Sequence, residues 1–300
     1  MIRFFASCFL VLCLTTPTWA DASFEEAMVL FDDGKYSDAL PIAQDFAVKN
    51  DVRAMSMLGR IYQNGLGVDA DPKQAQIWYG KAADKGSVEA QFALGMLLLD
   101  GSLGEPNLDE GAPMLERAAA AGNANAQYNM GLFYSGIYNN PPAWKGAAEW
   151  FKKAADQGFA DAQYNLALLY VDGRGVEKDV ATAATWFSKA ALQGMPDAAL
   201  EYGVLVFRGE GVRKDETIGA KWLLIAANRG NPVAQNRMSK LYATGHGVGI
   251  DGIEAAKWNM LAKAGGRSDA ALDDAMAKMQ PTDLKQAQDR AAAFKAIKTP

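Results

Sequence analysis

AQYNLALLYVDGRGVEKDVATAATWFSKAALQG, Ala162 to Gly194, decides the fold, because close copies of it return along the chain at a fixed offset of 36 residues. Gly86, Gly122, Gly158, Gly194, Gly230 and Gly266 form one column at that spacing, and Ala82, Ala118, Ala154, Ala190, Ala226 and Ala262 another. A third column holds Trp78, Trp150, Trp186, Trp222 and Trp258, with Met114 in the vacant place. A period of this length marks a solenoid, whose stacked units bury one another's faces. Six units follow: 51–86, 87–122, 123–158, 159–194, 195–230 and 231–266.

Each unit reads as two helices. Ala54, Leu58, Ile61 and Tyr62 lie at i, i+4, i+7 and i+8, one apolar helical stripe. Gly65 and Gly67 end that helix, and a second follows through Trp78, Tyr79, Ala82 and Ala83 to Gly86, where a left-handed residue closes it. Asn231-Pro232 supplies a cap and a first-turn proline for the next. Small residues at Gly59, Gly95, Gly131, Ala167 and Gly203 let a neighbouring backbone or indole approach closely, which makes the tryptophan column a packing anchor. The fold class is therefore all-α, a right-handed solenoid of helix-turn-helix repeats.

These residues resemble the Sel1-like repeat, a relative of the tetratricopeptide repeat. The shared pattern is A-x-x-x-L-G-x-x-Y-x-x-G-x-G-V-x-x-D-x-x-x-A-x-x-W-x-x-x-A-A-x-x-G, which Ala162–Gly194 matches nearly throughout. Residues 21–50, with FDDGKYSDALPIAQDFAVKND from Phe31 to Asp51, resemble a tetratricopeptide hairpin, and 267–300 a degenerate capping unit with Ala270 and Phe294 on register. The resemblance implies a non-enzymatic adaptor or regulator that binds another protein. Some cysteine-free periplasmic relatives inhibit sensor kinases in exopolysaccharide control, and others are linked to penicillin binding, so a peptidoglycan-associated protein is the alternative.

The chain opens like a secretory leader: Arg3, an apolar run from Phe4 to Leu14, and small residues Thr18 and Ala20. Cleavage near Ala20 is expected, with a periplasmic or secreted product and no stable membrane anchor. Both cysteines, Cys8 and Cys13, fall inside this leader. Without Arg3 the balance is 29 basic to 35 acidic residues, evenly mixed, which argues against nucleic acid as a partner.

Chemistry is hard to build from what remains. The one histidine, His246, sits in a loop where sister units carry Leu66, Arg174 and Glu210. That excludes Cys–His catalysis and makes a histidine-rich zinc site implausible. Asp71, Asp179, Asp215 and Asp251 precede second helices, where an acid caps the helix rather than binding calcium. No catalytic residue, metal or cofactor is expected.

A binding surface is expected instead on the first helices. One column there runs Ser56, Phe92, Tyr128, Tyr164, Leu200, Asn236, and another Arg60, Met96, Leu132, Leu168, Val204, Lys240. Both are apolar only in the four middle units. Either they pack neighbouring first helices together, or they line a groove suited to an extended or helical protein segment. Because first helices line the concave side in related solenoids, the resemblance implies the groove. The loop of unit three, YSGIYNNPPAWKG, replaces the glycine pair with Tyr138, Pro141, Pro142 and Trp144, and Tyr138 and Trp144 are candidate lip residues.

Overall fold

The computed structural model describes residues 23–297 and holds sixteen helices and no strand among them. The expected leader and both cysteines lie outside the described residues. The helices are α1 Phe24–Asp32, α2 Tyr36–Val48, α3 Val52–Asn64, α4 Pro72–Asp84, α5 Val88–Leu99, α6 Leu108–Ala120, α7 Ala124–Tyr134 and α8 Trp144–Asp156. They continue as α9 Ala160–Asp172, α10 Val180–Leu192, α11 Pro196–Arg208, α12 Glu216–Asn228, α13 Pro232–Thr244, α14 Gly252–Ala264, α15 Ala270–Ala277 and α16 Pro281–Ala292. The chain divides into two compact units, one ending at Met114 and one beginning at Leu115.

In the first unit each helix packs on its successor from α1 to α5, and α3 also touches α5. Its core joins Phe24, Phe31 and Ile42 of the leading hairpin to Leu58, Ile61, Tyr79 and Leu97. The second unit repeats this from α7 to α14 around Phe151, Leu166, Phe187, Leu223, Met238 and Trp258. At its end α14 packs chiefly on α16, with little contact to the short α15. Phe294 then meets Trp258 edge-on, its ring centroid 5.7 Å away.

The packing anchor is displaced by one residue from the tryptophan column. Tyr79, Leu115, Phe151, Phe187 and Leu223 are all buried at 3 % exposure or less. Trp78, Trp150 and Trp222 are only half-buried, and Lys81 and Lys153 lie over the first two indoles at 4.1 and 3.7 Å. The small first-helix residues serve this neighbouring column. A Cβ on Gly59 would overlap the Tyr79 ring, and one on Gly131 the Phe151 ring. Trp186 and Trp258 are buried in the core as the sequence implies, so the displacement of the anchor is seen at Trp78, Trp150 and Trp222.

The four aspartates are caps. Asp71, Asp179, Asp215 and Asp251 each accept from backbone N–H groups in the first turn of the following helix. Asp179 is held below its ordinary value of 3.8 first by the Thr182 hydroxyl, 2.6 Å away, then by the N–H groups of Thr182 and Ala181. A carboxyl depressed on folding adds stability that is full above its unfolded value and lost as pH falls through the folded one. Asp179→Ala should therefore lower the melting temperature at neutral pH, and by less as the pH falls below the ordinary carboxyl value of 3.8, as circular dichroism melts across that range would show.

The second loop glycine makes the joint between consecutive units. A Cβ on Gly175 would overlap the carbonyl of Trp144, the first residue of α8, and one on Gly211 would strike the backbone of Val180 at the start of α10. In unit three Asn139 occupies the position matching Gly175, also left-handed at φ 61°. Asparagine is among the few side chains that tolerate that conformation. There α7 stops at Tyr134, two residues before the point that matches the end of α9.

Candidate functional site

On the second unit, α7 and α9 lie side by side as consecutive first helices. Leu132 and Leu168 come from matching turns and are half-buried. Together with Ile137, Trp144, Asn165 and Arg174 they line a cleft of about 410 Å³. Ile137 stands 62 % exposed at its rim. The Arg174 guanidinium lies over the Trp144 ring, 4.9 Å from its centroid, and is hydrogen-bonded to Asp172. The altered loop of unit three and the normal loop of unit four thus meet across the mouth.

One turn back on each helix stand Tyr128 and Tyr164. Tyr128 packs against Phe151 at 5.8 Å and Phe159 at 5.0 Å, and Tyr164 against Phe187 at 5.5 Å. Both are half-buried. Burial, then the Asp161 charge, raises the Tyr128 phenol against a hydrogen bond with Asn165. Burial, then Asp197 and Glu201, pushes Tyr164 up to about 12. Both rings stay neutral at physiological pH.

Not every expected groove residue reaches this surface. Leu200 and Val204 are 7 % and 9 % exposed and belong to the core, a correction to their reading as groove. Helix α11 carries Leu200, Val204, Leu205 and Val206 in a broad apolar face, and all four are buried. Phe92 and Met96 are half-buried on α5 of the first unit. Tyr138 turns towards Phe133, 6.1 Å between centroids, and does not line the cleft, whereas Trp144 does.

The polar ends of the two columns also have structural partners. Ser56 is buried and donates to the Val52 carbonyl at 3.1 Å. Arg60 lies over the Phe31 ring at 4.7 Å, and Lys240 pairs with Asp269 at 2.7 Å. Polarity at the ends therefore does not by itself distinguish an open groove from packing. Of the column residues, Leu132 and Leu168 both pack against the core and line the cleft.

Sequence reasoning missed Asn165 and Arg174 as cleft residues, because each stands in a column whose members differ in chemistry. It also missed the buried glutamines. Gln127, Gln163 and Gln235 donate to the carbonyls of Ala119, Ala155 and Ala227 at 3.0, 3.1 and 3.2 Å, tying each first helix to the preceding second helix. Their recurrence at intervals of 36 and 72 residues was the available signal.

His246 is exposed, with its Nδ1 2.9 Å from the Thr244 hydroxyl. Among the described residues no group of three or more His, Cys, Asp or Glu side chains is arranged to hold a metal. No helix among them is long and apolar enough to cross a membrane.

The Sel1 repeat matches the chain six times, at 52–87, 88–123, 124–159, 160–195, 196–231 and 232–258. Among solved structures, c5321, a protective antigen present in uropathogenic Escherichia coli strains and displaying an SLR fold, is 25 % identical with a TM-score of 0.78. The alignment covers 92 % of this chain and 61 % of that one, so this chain spans less than two thirds of it. A Sel1 repeat protein from Oxalobacter formigenes is 31 % identical with a TM-score of 0.69 over 81 % of this chain and 100 % of that one. A search of curated proteins finds no match. Sel1 repeat proteins generally mediate protein–protein interactions. With six tandem matches on an all-α solenoid of paired helices, this chain belongs to the Sel1 repeat family.

Proposed function

We propose that the protein is an exported, non-enzymatic adaptor or regulator that captures a protein partner of the cell envelope on its first-helix face. The observation that carries this reading is the cleft between α7 and α9. An exposed isoleucine at the rim of an apolar recess, framed by Trp144 and Arg174, has the composition of an interaction hot spot. The leader-like start of the sequence supports export, and with it an envelope partner.

The test places a photo-crosslinking amino acid at Ile137, and separately at Leu192, which is 73 % exposed on α10. Both proteins are made in the native cell and irradiated. A discrete protein adduct from position 137 alone, lost on Leu168→Lys, is the expected result. Equal adducts from both positions, or none from position 137, would remove the cleft as the docking site. Retention of unmodified protein on purified peptidoglycan without any adduct would favour the cell-wall alternative.

A further inference from the structure

Unit six departs from its sisters at the places that fill space. The anchor column of Tyr79, Leu115, Phe151, Phe187 and Leu223 ends on Asn259. Asn259 is buried, but its Nδ2 turns to α15, donating to the Asp273 carboxylate at 2.9 Å beside the Met276 sulfur at 3.1 Å. A second pair of columns trades bulk elsewhere: a Cβ on Gly111 would overlap Leu99, and one on Gly219 would overlap Phe207. In unit six the same pair is Ala243 and Ala255, and Ala243 is the smallest residue in its column. The next helix does not make good the loss, since α14 packs chiefly on α16 and little on α15.

A pocket of about 230 Å³ remains between α13, α14 and α15. Ser239 and Ala243 line it from α13, Ala255 from α14, and Met276 and Met279 from α15 and the residues just beyond. Ile250, 76 % exposed, lines it from the loop before α14. None of the lining side chains is charged. Ser239 is the polar one, and it stands where sister units carry Gly59, Gly95, Gly131, Ala167 and Gly203. It is fully buried and donates its proton to the Ala255 carbonyl at 2.6 Å, which leaves its oxygen free to accept. One polar side chain suits water poorly, because a buried water typically makes about three hydrogen bonds.

We propose that this pocket binds a neutral, fused two-ring aromatic molecule carrying one N–H or O–H donor, with the rings against Ile250, Met276 and Met279 and the donor on the Ser239 oxygen. Size sets the ring count: a dry cavity of about 150 Å³ takes a single benzene ring. Thioethers make favourable contacts at aromatic edges, and two of them line this pocket. A charged ligand would lose its hydration and find no countercharge in the lining.

The experiment titrates the purified protein with indole, 1-methylindole and indole-3-carboxylate, following isotope-labelled methionine methyl groups by NMR. Met276→Leu and Met279→Leu identify the two signals. Both should shift saturably with indole, with half-saturation below about 1 mM. 1-Methylindole, which has no donor, should bind about threefold to tenfold more weakly, and the carboxylate at least about tenfold more weakly. Ser239→Ala, the residue of the sister position 167, should bring indole to the level of 1-methylindole and leave 1-methylindole unchanged. Two filling variants, Ala243→Leu within α13 and Ala275→Leu on the exposed side of α15, should each weaken indole at least about tenfold while melting as the parent does.

No saturable shift at Met276 and Met279 would overturn the proposal. Shifts that survive both filling variants would place the ligand elsewhere and overturn it equally. Equal affinity for indole and indole-3-carboxylate would overturn the neutral ligand class, and an indole affinity untouched by Ser239→Ala would overturn the role of the hydroxyl. The crosslink at position 137 reads a different surface, so its outcome leaves this one to be judged on its own.

Discussion

Phe151→Ala is expected to lower the unfolding free energy by about 3–5 kcal/mol, the range for truncating a large buried aromatic. The ring is 2 % exposed, lies against Gly131 across α7, and supports Tyr128. On the Gly131 side no side chain is present to fill the space, and that helix is held by Gln127 and its Asn123 cap. Trp150→Ala, one residue away, should cost only on the order of 1–2 kcal/mol, since the indole is already partly exposed and its partner is the Lys153 ammonium. Urea titrations of the two variants side by side measure the contrast. Equal costs would return the anchor to the tryptophan column.

The second large effect is at a loop. Gly175→Ala should destabilise by about 2–5 kcal/mol, the sum of a left-handed conformation and a clash with fixed backbone. Its φ is +72°, and the added Cβ would overlap the Trp144 carbonyl at the start of α8, which no rotamer change relieves. Gly158→Ala is the control. It has φ +91° and open space around its Cβ position, so only the conformational cost of about 1–2 kcal/mol applies. The difference between the two denaturation midpoints isolates the contact between units. If Gly175→Ala were no worse than Gly158→Ala, that contact would not hold the array together.

The repeating parts of the fold were legible because every repeat faces the same packing problem. Identical demands leave identical residues at identical spacing, and so the glycine, alanine and cap columns were visible. The direction of a side chain within a column is a finer matter. A single residue is about 100° of helical rotation, and that moved the anchor from Trp150 to Phe151. The site was less legible for a related reason. Leu200 and Leu168 are the same residue type on the same kind of helix, but the surrounding apolar surface of α11 draws Leu200 inward while Leu168 stays at a cleft wall. Exposure depends on neighbours from other repeats, which a column read alone does not contain. Trp144 could be singled out because it broke a pattern. Asn165 and Arg174 could not, because their columns set no pattern to break.

The contact of Gly175 with Trp144, and of Gly211 with Val180, is made to a backbone carbonyl region and not to any particular side chain. Each loop therefore asks of the unit before it only that a second helix begin at the right place. Tryptophan and valine satisfy that requirement alike. Such joints are interchangeable, so recombination that gains or loses a whole 36-residue module keeps every seam intact, whereas a shorter insertion or deletion breaks one. A lineage built on these seams can lengthen or shorten its array in whole steps, and can vary the side chains of a docking surface without renegotiating the scaffold beneath it.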